Sequence, residues 1–170
     1  MITAFLGASI DGFISSAANE PAKFSSKADL QRIRRNLNYY DFVLMGKATL
    51  DAYGSTLTPT NRNIPQYIYT HNENLDFSAY PHFLKQVTAY ATVQDLFPLR
   101  HYNIACLGGA KLVMDLYELG MLDIVNVTVT PIKLKSGVKF PKIKMQPIAH
   151  QKIAGTDEIN YTYKVKQFHY

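Results

Sequence analysis

Cys106 is the only cysteine in the chain, which excludes a disulfide framework and points to the cytoplasm as the expected compartment. No apolar run approaches the length needed to span a bilayer, so no membrane association is expected. The opening MITAFLGASIDG lacks the basic region and cleavage pattern of a secretory signal. His82, His101, His150 and His169 are scattered without ligand spacing, and no metal site is expected. There is no internal repeat, low-complexity tract or linker composition. Charged residues make up only 18% of the chain against 47% hydrophobic, which excludes a disordered chain. A length of 170 residues suits one domain, 1–170, able to bury its own core.

The net charge of +5 is modest, and the lysines are dispersed rather than clustered. Nucleic acid is therefore not the expected partner, and an anionic cofactor or substrate explains the excess equally well.

The most informative stretch is 103–118, NIACLGGAKLVMDLYE. Residues 103–107 read as a short buried strand that stops at Gly108-Gly109. A helix follows, with Leu112, Val113, Leu116 and Tyr117 at helical spacing. A glycine pair at such a turn lets a ligand approach bare backbone, and the free N–H groups of a helix start favour a phosphate. The same pair also serves a plain tight turn.

Taken in order, residues 2–10 read as a buried first strand. Asp11-Gly12 is a turn signal, after which Phe13-Ile14 resumes the apolar run. Residues 15–26 read as a polar loop, with Ser25 or Ser26 capping a helix over 27–39. The wholly apolar 42–45 suits a central parallel strand. It runs into Gly46 and a short helix at 47–53, a second strand–glycine–helix unit. Further strands are expected at 66–70, near 86–91, at 123–131 and at 138–141, with a helical turn at 92–99. The segments 150–155 and 161–169 alternate around a turn and predict an antiparallel hairpin. The sum is an α/β domain, mainly parallel, with an antiparallel C-terminal edge.

Three glycine-marked strand ends occur in order: Gly7-Ala8-Ser9-Ile10-Asp11-Gly12, Met45-Gly46-Lys47-Ala48-Thr49, and Leu107-Gly108-Gly109-Ala110. Together they resemble the dihydrofolate reductase-like superfamily. Within it, the opening S-I-D-G-F-I and the segments Leu122-Asp123, Thr130-Pro131 and Ser136-Gly137-Val138-Lys139-Phe140 are most similar to the C-terminal reductase domain of the bifunctional riboflavin-biosynthesis deaminase/reductase. The resemblance covers almost the whole chain. It implies a dihydrofolate reductase-like three-layer α/β sandwich, NADPH as cofactor, a pterin or pyrimidine-type substrate, and a homodimer. The zinc-ligand pattern of the deaminase half does not occur in these residues, so the reductase step alone is expected.

Carried over by position, the resemblance places Gly46, Lys47 and Thr49 at the cofactor phosphates, and Gly108, Gly109 and Ala110 under the pyrophosphate. Ala8 and Ile14 would meet the nicotinamide carboxamide through their backbone. Thr70 and His71 would lie near the adenosine 2′-phosphate, where the family often has an arginine. Asp29 falls at the place of the pterin-binding carboxylate of dihydrofolate reductases. A carboxylate there can accept paired hydrogen bonds from a heterocycle or relay a proton, or it can simply favour the helix dipole. Asp11 is a turn former with a substrate-side role implied by its place in the opening. Arg32, Arg34 and Arg35 either hold a substrate phosphate or form a solvated helix face with one of them turned inward. Lys133 and Lys135 are weaker phosphate candidates, and Cys106 reads as an inert buried thiol. The chain has no tryptophan, whereas dihydrofolate reductases usually carry one in the loop before the first helix. Ser26-Lys27 replaces their Leu-Pro pair, and Leu37 stands where the riboflavin reductases place an arginine.

The reaction implied first is hydride transfer to the ribosyl carbon of a 5-amino-6-ribosylaminouracil phosphate. Reduction of 7,8-dihydrofolate, a general NADPH-dependent reduction, and a non-enzymatic phosphate-ligand or nucleic-acid binder remain as alternatives.

Overall fold

The computed structural model describes residues 1–16, 25–53, 56–61, 63–70, 78, 89–90 and 94–167. Among the described residues there are ten strands: β1 (Ile2–Ser9), β2 (Phe13–Ser15), β3 (Phe42–Gly46), β4 (Gln66–Tyr69), β5 (Ala89–Tyr90), β6 (Ile104–Cys106), β7 (Ile124–Thr130), β8 (Val138–Lys139), β9 (Met145–Lys152) and β10 (Ile159–Val165). Three α-helices join them: α1 (Lys27–Asn36), α2 (Lys47–Tyr53) and α3 (Ala110–Glu118). Eight strands form one sheet in the order β5-β4-β3-β6-β1-β7-β10-β9, and β2 pairs with β8 in a separate ribbon. All pairings from β5 to β7 are parallel, while β10 runs antiparallel to both β7 and β9.

The sheet is covered on both faces, giving three layers. Residues Ile2, Ala4, Leu6 and Ala8 of β1 point to one face, where Leu112, Val113, Leu116 and Tyr117 of α3 pack on them. Phe5 points to the other, against Ile33 of α1 and Leu50 of α2. Val43 and Leu44 lie on opposite faces of β3 and both are 0% exposed, so polar residues have no place there. Each such burial contributes about 1.5–3 kcal/mol.

Helix α1 starts where Ser26 caps it, its hydroxyl accepting the Asp29 N–H at 3.1 Å. It ends at Asn36 and tightens into a 3₁₀ turn over Leu37–Tyr39, so the helix expected over 27–39 holds with a change of pitch. Its buried stripe is Asp29, Ile33 and Leu37, four residues apart. The carboxylate therefore occupies the core-facing stripe at the open end of the sheet.

Two expectations need correction. The first strand ends one residue short of the expected 2–10, and the apolar run that resumes at Phe13-Ile14 is a separate strand. β1 stops at Ser9, Ile10 is 58% exposed, and Gly12 takes a φ of 89°, which sends Phe13–Ser15 off the main sheet to pair with β8. The C-terminal hairpin also begins earlier than alternation indicated, at Met145, with Gly155 (φ 76°) in its turn. β9 is an edge strand exposed along almost its whole length and contains Pro147, so it carries no hydrophobic alternation to read. Among the described residues, no helix is long and apolar enough to cross a membrane.

Candidate active site

Parallel strands place their carboxyl ends on one side of the sheet, and ligands of open α/β sheets bind there. A cavity of about 510 Å³ lies at that position. Gly7 after the middle of β1, Gly46 at the end of β3, Tyr69 and Thr70 at the end of β4, and Leu107 after β6 contribute to its walls.

The glycines follow from strand spacing. β3 and β6 are neighbours, so their ends leave the sheet side by side. Gly46 N–H donates to the Gly108 carbonyl at 2.7 Å. A Cβ on Gly46 would sit 3.3 Å from Gly109 N and 3.5 Å from Gly108 O. Gly108 takes a φ of 86°, and the Gly108–Gly109 peptide is cis. Gly109 is the N-cap of α3 and has no side chain to satisfy the helix start. The first intrahelical bond is Val113 N–H to Gly109 O at 3.1 Å, so the N–H groups of Ala110, Lys111 and Leu112 lack helical partners. All three residues line the cavity.

Two lysines flank these helix starts. Lys47 Nζ donates to Asp51 Oδ1 and Oδ2 at 2.7 and 2.6 Å. Lys111 Nζ donates to Asp115 Oδ2 at 2.9 Å, and that oxygen also accepts from Tyr69 Oη at 3.2 Å. Asp115 holds the Lys111 ammonium above its ordinary value. Exposed pairs of this i,i+4 kind are worth only about 0.3–0.5 kcal/mol, so either lysine can turn to an incoming phosphate at little cost.

The wall of the same cavity also includes Asp29, which is 1% exposed. Its Oδ1 is crowded. Arg32 Nε donates to it at 3.0 Å, Arg32 Nη2 lies 2.9 Å away, and Thr128 Oγ1 donates at 3.0 Å. Oδ2 has no hydrogen bond among the described residues. Burial pushes the carboxyl up; the Arg32 charge and hydrogen bond and the Thr128 hydroxyl pull it back without cancelling the rise, and Glu158 adds to it. Arg32 continues to Asn126 Oδ1 and Thr128 Oγ1 at 3.4 and 3.3 Å, and Asn160 Nδ2 donates to the same two oxygens at 2.6 and 3.1 Å. Register makes this network: β10 lays Asn160 directly opposite Thr128. Glu158, 3% exposed, accepts at Oε2 from Thr130 Oγ1 at 2.7 Å and from Ser26 N–H at 3.3 Å, while Oε1 is buried without a partner.

Of the residues singled out from the sequence, Ile14, Asp29, Gly46, Lys47, Thr49, Thr70, Gly109 and Ala110 line one cavity, and Gly108 backs Gly46. Ala8 is buried in the core and is not among the wall residues. His71 lies outside the described residues. Asp11 also stands apart from the wall. Its Oδ1 accepts from Ser9 Oγ at 2.6 Å and Leu134 N–H at 3.2 Å, and its Oδ2 accepts from Lys135 N–H at 2.9 Å. The Ser9 hydroxyl, with the two backbone amides, holds Asp11 below its ordinary value. It clasps the β1–β2 turn to the 134–135 backbone. Arg34 holds the Thr58 carbonyl at 2.9 Å and Arg35 folds back on Gln31 O, so Arg32 is the inward one of the three. The Cys106 thiol is fully buried and pushed up to about 12, as befits an inert core group. Among the described residues no cluster of metal-ligating side chains occurs.

A family profile, the RibD C-terminal domain, matches residues 1–152. The chain belongs to that family. No curated protein sequence matches it. Solved structures with the same fold include the Thermotoga maritima diaminohydroxyphosphoribosylaminopyrimidine deaminase/5-amino-6-(5-phosphoribosylamino)uracil reductase, at 13% identity and a TM-score of 0.74; the match covers 98% of this chain and 56% of that one. This chain thus spans little more than half of that bifunctional protein. A pyrimidine reductase-like protein of Corynebacterium diphtheriae matches at 14% identity and a TM-score of 0.71, over 98% and 92% of the two chains. Dihydrofolate reductase of Enterococcus faecalis, complexed with NADP(H) and RAB-propyl, matches at 15% identity and a TM-score of 0.70, over 98% and 97%. At these identities the likeness is one of fold, and the fold is that of dihydrofolate reductase.

Proposed function

We propose that this RibD C-terminal domain family member is an NADPH-dependent reductase of the riboflavin-biosynthesis type, acting on a 5-amino-6-ribosylaminouracil phosphate. The observation that supports the reading is one cavity lined by two unlike features. One is the set of open backbone N–H groups at a glycine-capped helix start, and the other a buried carboxylate.

The residues fit a dinucleotide. The Gly46–Gly108–Gly109 surface leaves room that a Cβ at Gly109 would enter, with nothing within 4 Å of that position. The α3 start and Lys111 would hold the pyrophosphate, with Lys47 and Thr49 beside it. Gly7 and Ile14 would border the nicotinamide, and Thr70 the adenosine side. When bound, NADPH supplies the hydride. The protein's part is to hold the substrate ring against Asp29, exclude water with the apolar walls of Leu6, Leu30, Ile33 and Leu107, and fix the reacting carbon near the cofactor. Asp29 would accept a ring N–H through Oδ2. Asp11 would act through loop placement alone. That hydride chemistry would reduce the C=N bond of a ring-opened ribosylamine to the ribityl amine, with one proton taken up and NADPH oxidised to NADP+. A homodimer is part of the reading, and light scattering at high micromolar concentration tests it separately.

Reduction of 7,8-dihydrofolate is the second reading, which a buried carboxylate on the first helix suits. The deciding experiment follows NADPH absorbance with each substrate in turn, in the native protein and in Asp29→Asn. Turnover of dihydrofolate alone, lost in Asp29→Asn, replaces the first reading by the second. NADPH binding without turnover of either leaves a general reductase. No NADPH binding at millimolar concentration leaves a non-enzymatic phosphate-ligand module.

A further inference from the structure

Asp29 carries two carboxylate oxygens, but the protein uses them very unequally. Arg32 Nε and Nη2 and Thr128 Oγ1 all converge on Oδ1 within 3.0 Å. An oxygen with three donors already in place has no room for a fourth in good geometry. Oδ2 alone is left for a ligand. The neighbouring carboxylate cannot make up the deficit, because Glu158 Oε2 is taken by Thr130 and Ser26 and Oε1 is enclosed. Arg32 is anchored where it stands: Asn126 and Thr128 accept from its Nη2 on β7, and Asn160 on β10 braces both.

A carboxylate with both oxygens open is complementary to a ring edge with two parallel N–H donors, as in an amidinium or an N-protonated 2-aminopyrimidine. With Oδ1 occupied, such an edge pairs only once and leaves its second donor buried and unmet. A buried unmet donor is a strong ground for rejection, whereas a single N–H flanked by carbonyls leaves none. We propose that Arg32 is a specificity-determining residue that sets the cavity floor to accept an imide or lactam edge, with one N–H, and to reject an edge with two parallel donors. The assignment rests on reading the cavity as the substrate site of a reductase.

The test uses uracil, whose imide edge carries one N–H between two carbonyls, as the one-donor probe, and 2,4-diaminopyrimidine protonated on its ring nitrogen as the two-donor probe. Each is titrated calorimetrically into the native protein, Arg32→Met and Arg32→Gln. Met keeps the apolar stem and removes two of the three donors on Oδ1, leaving Thr128; Gln keeps one polar group facing β7. The native protein should bind uracil at least about tenfold more tightly, and each folded variant should move the ratio of the two affinities at least about tenfold toward 2,4-diaminopyrimidine. A merely structural role for Arg32 would weaken both probes together and leave their ratio unchanged, and that result overturns the assignment. So does a native protein that binds the diaminopyrimidine as tightly as uracil, or that binds neither probe; these outcomes need no variant to fold. NADPH is titrated in parallel. Its failure to bind, with the probe ratio still shifting, would sink the reductase reading and leave the Arg32 assignment standing.

Discussion

Thr128 and Asp29 lie 99 residues apart in sequence and meet at 3.0 Å, hydroxyl to carboxylate, under the cavity. Thr128 belongs to a strand pairing parallel to β1 and Asp29 to the first crossover helix. The carboxylate is therefore positioned by the whole sandwich rather than by its own helix. Two of its partners, Arg32 and Thr128, offset a burial that still leaves the group harder to ionise than a free aspartate.

That burial has a consequence for acid titration. Because the folded Asp29 binds its proton more tightly than the unfolded one, stability falls as pH rises from the ordinary aspartate value through the raised one. Asp29→Asn removes this contribution. The difference in melting temperature, native protein minus the Asp29→Asn variant, is expected to decline steadily over that range. A difference that grows with pH would contradict the burial-dominated assignment.

Asp11 should behave oppositely. Its carboxylate is held low by Ser9 and the Leu134 and Lys135 amides, so the stabilisation it supplies is present above the ordinary aspartate value and disappears as pH falls through the lowered one. Asp11→Asn should therefore flatten the acid limb of the stability profile while leaving NADPH affinity within about twofold, since Asp11 is not part of the cavity wall. A large loss of cofactor affinity with an unchanged acid limb would return Asp11 to the site.

Gly109→Asp separates folding from cofactor binding. The position has φ −77° and open space where the side chain would go, and aspartate is a good N-cap. Thermal stability should hold or rise by a few tenths of a kcal/mol. NADPH affinity should fall by at least about a hundredfold, because the new carboxylate takes the N–H groups and repels phosphate. Calorimetry and a thermal melt on the same sample check both halves.

Gly137 and Gly12 both have positive φ, at 133° and 89°, but unequal surroundings. A Cβ at Gly137 would run into the Ser15 carbonyl, whereas one at Gly12 meets nothing within 4 Å. Gly12→Ala should cost about 1–2 kcal/mol in urea unfolding, and Gly137→Ala more than about 3 kcal/mol with loss of the β2–β8 ribbon. Equal costs would mean that backbone conformation alone matters at both.

Much of this was readable one element at a time. The glycine-ended strands and the Leu112, Val113, Leu116 and Tyr117 stripe follow from local spacing, and both lysine–aspartate pairs sit at i,i+4 in the sequence. Asp29 was visible as a carboxylate at a helix start, and its partners were not. Asn126, Thr128 and Asn160 become one polar strip only when β10 runs antiparallel to β7 in its particular register. Nothing near Arg32 distinguishes it from Arg34 and Arg35 until that strip exists to receive it. The one local trace was polar residues within DIVNVTVT and INYTYKV, on faces that a central strand would normally keep apolar.

The order of the strands also bears on how the chain becomes a protein. β1 is almost wholly buried, yet its two neighbours are β6 and β7, so Ile2 must find Ile104 and Thr3 must find Ile124. During synthesis this apolar strand emerges well before β6 and β7 and waits, unpaired, until they follow. Parallel pairing over such separations is slow because loop closure precedes any contact gain. The waiting strand is then the segment most exposed to chaperones, or to another nascent copy of itself.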